Sequence, residues 1–431
     1  MKKINTSPIS GTLELTPAFQ AEFNRLKSGI ADAFHLHGFQ SIETPTIDRT
    51  EILLAKAGGD TEKQIYKVVK TAETSDEADQ ALRFDHTVPL ARYAVEHMND
   101  LTFPFKVTQI GRNFRGERPQ KGRFREFYQC DVDVIGWYTL PVAYDAEVIA
   151  TLADAIKVLP LPQFVIRISN RKLLTGLLES MNLQQLSTEI LGIVDHAEKA
   201  PAEKTVSALE ELRIGSDNVV KITTFIQING GREEVINRLN ALDCNNETFL
   251  AGVAELDLVM KTLAEIAPGT NAIADMLIVR GLDYYTGTVF ETIAPDYREI
   301  GSICSGGRYE NLASNYTDQA MPGVGGSIGL SRLFFIFQNY NLVSASDVKP
   351  VDVCIIPITS NENAAAAKFT ANLRKSGRTV DVVLTDKKLG DKLKYASRVA
   401  NFAAVIGKTE ATSGQYKLRN LATGEETEII D

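Results

Sequence analysis

The sequence is poor in cysteine and tryptophan, and it has no long hydrophobic run. Its 431 residues include one tryptophan and four cysteines, at Cys130, Cys244, Cys304 and Cys354. The cysteines stand far apart with no CxxC pair, which excludes a disulfide framework and favours a reducing compartment. No apolar run approaches the roughly 18–20 residues that span a bilayer. The first residues, MKKINTSPISGTLELTP, lack the apolar segment of a secretory signal. We therefore expect a cytoplasmic protein without a membrane partner.

Histidine is also scarce, and the five histidines predict no metal site. His35 and His37 are two residues apart in a predicted helix, so they cannot bind one ion from one helix face. His86, His97 and His196 lack the spacing of metal ligands. A Ser-His-Asp triad has no support either, because no nucleophile elbow is present. We assign no metal to protein side chains.

The acidic net charge hides a local concentration of basic residues. The chain has 46 Lys and Arg against 55 Asp and Glu, a net charge of −9, which alone argues weakly against a polyanionic partner. Yet residues 106–125 hold seven basic side chains and one acid, and residues 350–431 hold 12 basic and 10 acidic ones. Such clusters create a positive potential whatever the net charge. At 44% hydrophobic residues the chain can bury real cores, in about two to four domains.

Hydrophobic periodicity predicts an antiparallel hairpin followed by a helical region. Within 103–137, strand patterns flank the polar stretch GERPQKGR, which gives a long hairpin with a basic tip. The hydrophobic pattern of residues 171 to about 270 predicts a mainly helical insertion, with a strand pattern only at 219–228. Strand patterns return at 276–279 and 288–293.

The C-terminal part predicts a separate domain. NLVSASDVKP, residues 341–350, is typical of a linker. Residues 351–431 alternate β-α-β-α-β and end in a hairpin, which indicates a small α/β domain with a largely parallel sheet.

Two glycine-rich loops follow the second strand region. Neither SGGRYE (305–310) nor PGVGGSIGLSR (322–332) has the spacing of a phosphate loop or a dinucleotide fingerprint. Each taken alone is more typical of a turn or of close strand packing. The second loop, however, ends in Arg332 at the start of an apolar helix, where free N–H groups and the helix dipole attract anions.

Arginines recur at such positions. Arg115 and Arg123 flank the hairpin loop, and Arg280 opens RGLDYYTG. Any one of them is more typical of a solvated surface residue. Together with Arg332, fixed guanidinium groups would suit a substrate with many phosphate oxygens, because each pairs bidentately and stays charged.

Polar side chains also stand within strand-like runs. Gln129, Asp131 and Asp133 are spaced by two, so they share one strand face. A half-exposed strand would show the same alternation. Buried carboxylates there would instead suit a cationic amine or a protonatable ring. The other polar candidates are Asp85, Thr87, Tyr284, Tyr285 and Tyr309.

Four segments together resemble the histidyl-tRNA synthetase family of class II aminoacyl-tRNA synthetases. FKVTQIGRNFRGERPQKGRFREFYQCDVDVIG resembles motif 2, RGLDYYTGTVFE and SGGRYE the two histidine-specific signatures, and GVGGSIGLSRL motif 3. GFQSIETPTID resembles the looser motif 1, which forms the dimer interface of that class. RGLDYYTG is the most specific of these, and the resemblance covers the whole chain in the family's order.

The resemblance implies an α+β catalytic core, with an antiparallel sheet and flanking helices, over 1–325 and extending to about 340. It implies the helical insertion at about 171–270 and an anticodon-binding α/β domain at 351–431, after the 341–350 linker.

The resemblance also implies roles for the basic residues. Arg115 would hold the ATP α-phosphate and the histidine carboxylate, and Arg123 would reach the outer phosphates. Phe127 and Arg332 would sandwich the adenine, with Arg332 also on the γ-phosphate. Arg280 would act at the α-phosphate during attack.

Histidine recognition is implied for a second set. Asp85, Thr87 and Gln129 would bind the α-amino group. Asp133 and Tyr285 would read the imidazole, in a pocket also lined by Tyr284 and Tyr309.

The implied partners are ATP with Mg²⁺, L-histidine, the histidine tRNA and a second copy of the chain. Gln120 and Lys121, at the basic tip, would meet the tRNA acceptor end. The implied reaction is ATP-dependent ligation of histidine to its tRNA. A non-catalytic regulatory subunit of histidine biosynthesis resembles the same core, but such subunits typically lack the C-terminal domain and the RGLDYYTG signature. A plain RNA-binding α/β protein would leave the acidic set unexplained.

Three residues depart from the family pattern. Asp85 stands where many members have the longer Glu, and His86 follows it where leucine is common. Ser331 replaces an acid that often precedes the motif 3 arginine, so no metal ligand is assigned there.

Overall fold

The computed structural model describes residues 4–430 apart from 56–61, 72–77, 199, 280–283 and 345–348. The chain divides into two units. The first consists of Met1–Glu14 and Leu26–Leu342, and the second of Leu15–Arg25 and Val343–Asp431.

The first unit is built on a nine-stranded sheet with an antiparallel centre. The unit as a whole has these strands, in chain order: β1 (Gln40–Ser41), β2 (Ile47–Arg49), β3 (Lys67–Val68), β4 (Gln80–Leu82), β5 (Phe105–Phe114), β6 (Glu126–Ile135), β7 (Val165–Asn170), β8 (Asn229–Gly230), β9 (Ala272–Asp275), β10 (Tyr285–Ile293), β11 (Cys304–Tyr309) and β12 (Gly323–Ile328). The large sheet has the order β1-β5-β6-β12-β11-β10-β7-β9-β8, and every pair from β5 to β7 is antiparallel. Strands β2, β4 and β3 form a small separate sheet. The predicted antiparallel core and its long hairpin, β5–β6, are confirmed.

Helices flank this sheet and fill the predicted insertion. They are α1 (Pro17–Leu36), of which the residues from Leu26 onward belong to this unit, α2 (Thr50–Leu54), α3 (Thr87–Glu96), α4 (Ala143–Lys157), α5 (Arg171–Ser180), α6 (Ser187–Ala197), α7 (Ala202–Glu211), α8 (Ser216–Ile226), α9 (Arg232–Asn240), α10 (Glu247–Ile266) and α11 (Leu330–Asn339). Helix α4 packs on β6, β11 and β12, and α11 packs on β6. Helices α5 to α10 make the insertion mainly helical, as expected.

Two strand predictions in this region are wrong. Residues 219–228 lie largely in α8, because Val219, Ile222 and Phe225 recur at helical spacing and bury one face. Residues 276–279 follow β9 as a turn, in which the Asp275 carboxylate accepts a hydrogen bond from the Leu277 N–H at 3.0 Å. The apolar character of 276–279 reflects burial of that turn and not a strand.

Strand β6 separates the core from the site because its side chains alternate. Cys130, Val132 and Val134 are fully buried on the face toward the helices. Gln129, Asp131 and Asp133 point to the opposite face. The sequence pattern therefore fixes which side of the sheet is polar.

A buried ion pair joins β11 to the start of α4. The Arg308 guanidinium donates to both carboxylate oxygens of Asp145, at 2.7–3.1 Å, and to the Leu140 and Pro141 carbonyls. Arg308 is 3% and Asp145 0% exposed. Burial raises the pKa of Asp145, and the hydrogen bonds from Arg308 oppose that rise. The arginine of SGGRYE thus holds a helix against the sheet.

The second unit contains a five-stranded sheet with a parallel part and a terminal hairpin. Its elements are β13 (Val351–Pro357), α12 (Asn363–Lys375), β14 (Val380–Val382), α13 (Leu389–Val399), β15 (Ala400–Ile406), α14 (Lys408–Ser413), β16 (Gln415–Asn420) and β17 (Glu426–Ile430). The order is β14-β13-β15-β16-β17, with β14, β13 and β15 parallel. This confirms the predicted small α/β domain.

Two features of the described residues bear on disulfides and on membrane-spanning helices. All four cysteines are buried and unpaired. Across the described ranges, no helix is both long and apolar enough to cross a membrane.

Arg308→Met should destabilise the first unit by about 3–5 kcal/mol, because it leaves the buried Asp145 carboxylate without its partner. Urea unfolding followed by fluorescence of the single tryptophan, Trp137, reports on this unit alone. Arg238→Met, which removes the exposed pair with Glu234, is the matched control and should cost less than about 1 kcal/mol. Equal effects of the two variants would contradict a structural role for the buried pair.

Candidate active site

Two cavities lie side by side on the polar face of the sheet. The first, of about 140 Å³, has three arginines and three aromatic rings in its lining. The second, of about 240 Å³, is lined by carboxylates and tyrosines and is of a size for an amino acid. Arg115, Gln129, Ser305 and Ser327 line both. A ligand in one cavity therefore contacts some of the same side chains as a ligand in the other.

The acidic cavity brings the predicted histidine-binding set together. It is lined by Asp85, Thr87, Gln129, Asp133, Tyr284, Tyr285 and Tyr309, and also by Asp131. The Tyr309 hydroxyl donates to Asp133 Oδ1 at 2.9 Å, and the Tyr284 hydroxyl donates to Asp85 Oδ2 at 3.3 Å. Asp85 Oδ1 accepts the Val88 N–H at 3.0 Å, at the start of α3. Each tyrosine therefore fixes one carboxylate at the cavity wall.

Burial shifts the protonation of these groups. It raises the pKa of Asp133 well above its ordinary value, and the nearby Asp131 charge adds to the rise. Burial also raises the pKa of Asp85, which the Val88 N–H and Arg115 partly oppose. For Tyr284 and Tyr309, burial and then a neighbouring carboxylate raise the pKa, so both remain donors. Carboxylates held in such a site gain from a bound cation, which would replace their lost hydration.

The other cavity is strongly basic. Arg115 lies over the Phe127 ring, with its guanidinium carbon 5.1 Å from the ring centroid, and donates to the Phe84 carbonyl at 3.1 Å. Arg123 and Arg332 line the same cavity, with one acid, Glu117, 3.4 Å from Arg123. Burial and the nearby Arg123 lower the pKa of Arg332. Mutually repelling cations around one cavity are stabilised by a polyanion.

Arg332 also ties the hairpin loop to the sheet. It lies in the first turn of α11, as the sequence predicts, and donates to the Gly122 carbonyl at 3.2 Å and to the Ser302 carbonyl. Gly122 has a φ of +71°, which favours glycine at the turn. Gln120 and Lys121 lie exposed beside it at the tip of the hairpin.

Glycines let the strands approach the acidic cavity closely. A Cβ added at Gly325 would lie 2.0 Å from Asp133 Oδ1, and one added at Gly323 would lie 2.3 Å from the Tyr309 ring. The glycines of the second loop thus make room for the residues that line the cavity. Strand packing, the ordinary interpretation of that loop, is correct for these two positions.

A buried hydrogen-bond network around Asp131 was not predicted. His86 Nδ1 lies 3.0 Å from Asp131 Oδ2, and the Ser327 hydroxyl donates to Asp131 Oδ1 at 2.5 Å. Gln129 Nε2 donates to Ser327 Oγ at 2.7 Å, and Asn113 Nδ2 donates to Gln129 Oε1 at 2.7 Å. The spacing of Asp131 from Gln129 and Asp133 was the signal available, while nothing in the sequence pairs it with His86 or Ser327.

Ser331 has a structural place. Its hydroxyl accepts the backbone N–H of Tyr128 at 2.8 Å and is buried, so it joins α11 to β6. Its position gives no reason to assign it a metal ligand role. Arg280 lies outside the described residues.

No cluster of three or more His, Cys, Asp or Glu side chains able to hold a metal occurs in the described part of the chain. The arginine-lined cavity has one carboxylate, Glu117. This donor set fits a Mg²⁺ that arrives on phosphate oxygens and keeps several waters, and not an all-protein cage.

The antiparallel sheet with flanking helices, the paired cavities on its polar face and the separate C-terminal α/β unit define a class II aminoacyl-tRNA synthetase. The family model for histidyl-tRNA synthetase matches residues 11–333, and the model for the anticodon binding domain matches residues 352–430. The chain belongs to the histidyl-tRNA synthetase family.

Similar proteins extend over the full length. The chain is 41% identical to the histidine–tRNA ligase of Clostridium tetani over 430 residues, which is 99% of this chain and 97% of that protein. It is 39% identical to the enzyme of Finegoldia magna, over 98% of this chain and 97% of that protein. The crystal structure of histidyl-tRNA synthetase from Nostoc sp. PCC 7120 superposes with a TM-score of 0.87 at 35% identity, covering 99% of this chain and 97% of that one.

One further structure concerns the alternative that the chain is a non-catalytic regulatory subunit. A Bacillus halodurans C structure described as an ATP phosphoribosyltransferase regulatory subunit/histidyl-tRNA synthetase has a TM-score of 0.79 but 20% identity, over 94% of this chain and 100% of that one. At that identity it shows a shared fold alone. The full-length similarity to ligases favours the catalytic interpretation.

Asp133→Asn should make the first unit more stable than the native chain at neutral and alkaline pH. The folded chain holds the Asp133 proton more tightly than the unfolded chain, so its contribution to stability falls as pH rises from about 3.8 through the raised folded pKa. Asparagine cannot ionise, and its Oδ1 can still accept from Tyr309. Urea unfolding of both proteins between pH 4 and 9 measures the difference, which should grow with pH. A difference independent of pH would contradict this assignment.

Proposed function

We propose that this chain activates L-histidine with ATP, giving histidyl-adenylate and pyrophosphate, and then transfers histidine to the 3′ end of its tRNA. The observation that carries the proposal is the meeting of an acidic cavity and a basic cavity at Arg115 and Gln129. An amino acid needs a negative wall for its ammonium group. A nucleoside triphosphate needs a positive one.

In the activation step, a carboxylate oxygen of histidine attacks the α-phosphorus of ATP. A new O–P bond forms, the bond from the α-phosphorus to the bridging oxygen breaks, and pyrophosphate leaves with that electron pair. The protein has to position two anions and offset the charge that develops between them. Arg115, on the wall common to both cavities, would pair with the carboxylate and the α-phosphate together. Arg123 and Arg332 would hold the outer phosphates, with the adenine between Phe127 and Arg332.

Recognition of histidine rests on the carboxylates of the other cavity. Asp85, Thr87 and Gln129 would bind the α-ammonium group. Asp133, held by Tyr309, would accept a hydrogen bond from an imidazole N–H, with Tyr285 beside it. A site built to hydrogen-bond both ring and amine rejects analogues lacking those groups, by roughly 10⁴–10⁵ in favourable cases.

Mg²⁺ would enter with ATP as part of the substrate. When bound, it would neutralise charge on the phosphate oxygens. Glu117, the carboxylate that lines the basic cavity, would contact it or one of its waters.

The remaining partners follow from the same family membership. The exposed Gln120 and Lys121 at the hairpin tip would meet the tRNA acceptor end, and the second unit, 351–431 in the predicted division, would read the anticodon. We also propose a cytoplasmic homodimer that uses the segment around Pro45 as its interface.

Histidine-dependent exchange of pyrophosphate into ATP tests the activity directly. We expect exchange with L-histidine alone among the twenty amino acids, because the acidic cavity matches its ring and amine together. Charging of a tRNA transcript should follow in a second assay. Binding of a partner enzyme without exchange would instead support the regulatory alternative.

Arg280→Ala should lower the rate of adenylate formation by at least about 10², with little change in ATP affinity. The reason is that a residue which acts at the α-phosphate during attack stabilises the transition state more than bound ATP. Pre-steady-state quenched-flow kinetics and ATP binding measured separately decide this. Equal losses in rate and ATP affinity would assign Arg280 to ground-state binding.

A further inference from the structure

The hydrogen-bond network around Asp131 has defined donor and acceptor directions. The Ser327 hydroxyl donates its one hydrogen to Asp131 Oδ1, over 2.5 Å. The Ser327 oxygen is then free to accept, and it takes a hydrogen bond from Gln129 Nε2 at 2.7 Å. This leaves the carbonyl oxygen of the Gln129 amide turned away from Ser327.

The other oxygen of Asp131 is occupied as well. His86 Nδ1 lies 3.0 Å from Asp131 Oδ2, and both side chains are buried, at 1% and 4% exposure. The histidine therefore donates to the carboxylate and orients it toward Ser327. Both oxygens of Asp131 thus accept a hydrogen bond within the protein, and Asp131 also lines the acidic cavity.

Like Ser327, Gln129 faces both cavities. Its Oε1 accepts from Asn113 Nδ2 at 2.7 Å, and a carbonyl oxygen has a second lone pair. That lone pair is available to an ammonium group in the acidic cavity. If the amide were rotated by 180°, its NH₂ group would take the place of Oε1 and would repel the same ammonium group.

We propose that Asp131, oriented by His86, is a positioning residue that fixes the amide of Gln129 through Ser327, so that Gln129 presents its oxygen to the substrate α-ammonium group. This inference rests on the proposed function, since it deepens the recognition of histidine. If Asp131 acts in this way, the hydroxyl of Ser327 is as necessary for binding the α-ammonium group as Gln129 itself.

The test compares the binding of two ligands by calorimetry. L-Histidine has the α-ammonium group, and 3-(imidazol-4-yl)propionate is the same molecule without it. Ser327→Ala should raise the dissociation constant of L-histidine about tenfold or more, the typical loss for a hydrogen bond to a charged group. The dissociation constant of the propionate should stay within about twofold. A merely structural role would weaken both ligands alike.

Two variants of Asp131 extend the comparison. Asp131→Ala should show the same selective loss as Ser327→Ala. Asp131→Asn should recover most of the affinity, because its Oδ1 can still accept from Ser327, while its amide can donate to His86 Nδ1 when the ring carries its proton on Nε2. If both Asp131 variants bind L-histidine as the native chain does, the proposal is wrong.

Action through Gln129 is tested by combining substitutions. Gln129→Ala alone should lose affinity for L-histidine. Adding Ser327→Ala should cause no further loss, because Ser327 acts only through the Gln129 amide, which the first substitution has already removed. Additive losses would show that Ser327 or Asp131 contacts the ligand directly and would overturn the positioning role.

Thr108→Val is the matched control. The Thr108 hydroxyl donates to the backbone carbonyl of Asp131 at 2.8 Å and is buried. Its loss removes a hydrogen bond to the β6 backbone at Asp131 without changing the contacts of the Asp131 carboxylate. The ratio of the dissociation constants for L-histidine and the propionate should therefore not change. A shifted ratio in this control would overturn the proposal.

The proposed function and this inference fail separately. If the native chain does not bind L-histidine or support exchange, the proposed function fails. If the native chain does both, but Ser327→Ala leaves the ratio unchanged, the inference alone fails.

Discussion

The removal of Asp85, Asp131 and Asp133 from water is the constraint on which the site depends. Buried carboxylates cost several kcal/mol each unless hydrogen bonds or cations replace their hydration. The fold meets this cost locally, with tyrosine hydroxyls, a serine hydroxyl, an imidazole and the N–H of Val88. The compensation is incomplete for Asp133, whose raised pKa records the remaining cost. A cationic ligand would supply what is missing, so the same constraint would favour an amine and a protonatable ring as ligands.

The sheet makes this arrangement possible. Antiparallel pairing places β6 between β5 and β12, and the alternation along β6 sends its carboxylates to one face and its apolar side chains to the core. The neighbouring strand can come close because Gly323 and Gly325 have no Cβ. The buried pair of Arg308 and Asp145 then holds α4 on the other side. Burial of polar groups on one face is thus supported by ordinary packing on the other.

Much of this could be predicted from the sequence, and the exceptions have physical reasons. The hairpin, the helical insertion and the C-terminal α/β domain follow from periodicity. Most of the candidate ligand-binding residues line the two cavities, while Arg280 lies outside the described residues, and the roles of all of them stay predictions. The strand predictions at 219–228 and 276–279 were wrong because short apolar runs do not distinguish a strand from a buried helix or turn. The pairing of His86 with Asp131 joins residues 45 positions apart, and no local pattern contains such a contact. Ser331 could be recognised as a departure from the family pattern. Its hydrogen bond from the Tyr128 N–H in β6 could not be predicted, because it joins residues far apart in the sequence.

The wall common to the two cavities has a thermodynamic consequence. Arg115, Gln129, Ser305 and Ser327 each face both cavities, so a ligand that reorients any of them changes the free energy of binding in the other cavity. Linkage requires this effect to be reciprocal: whatever factor the nucleotide imposes on the affinity for the amino acid, the amino acid imposes on the affinity for the nucleotide. The coupling free energy between the two cavities would then be set by the side chains that they have in common.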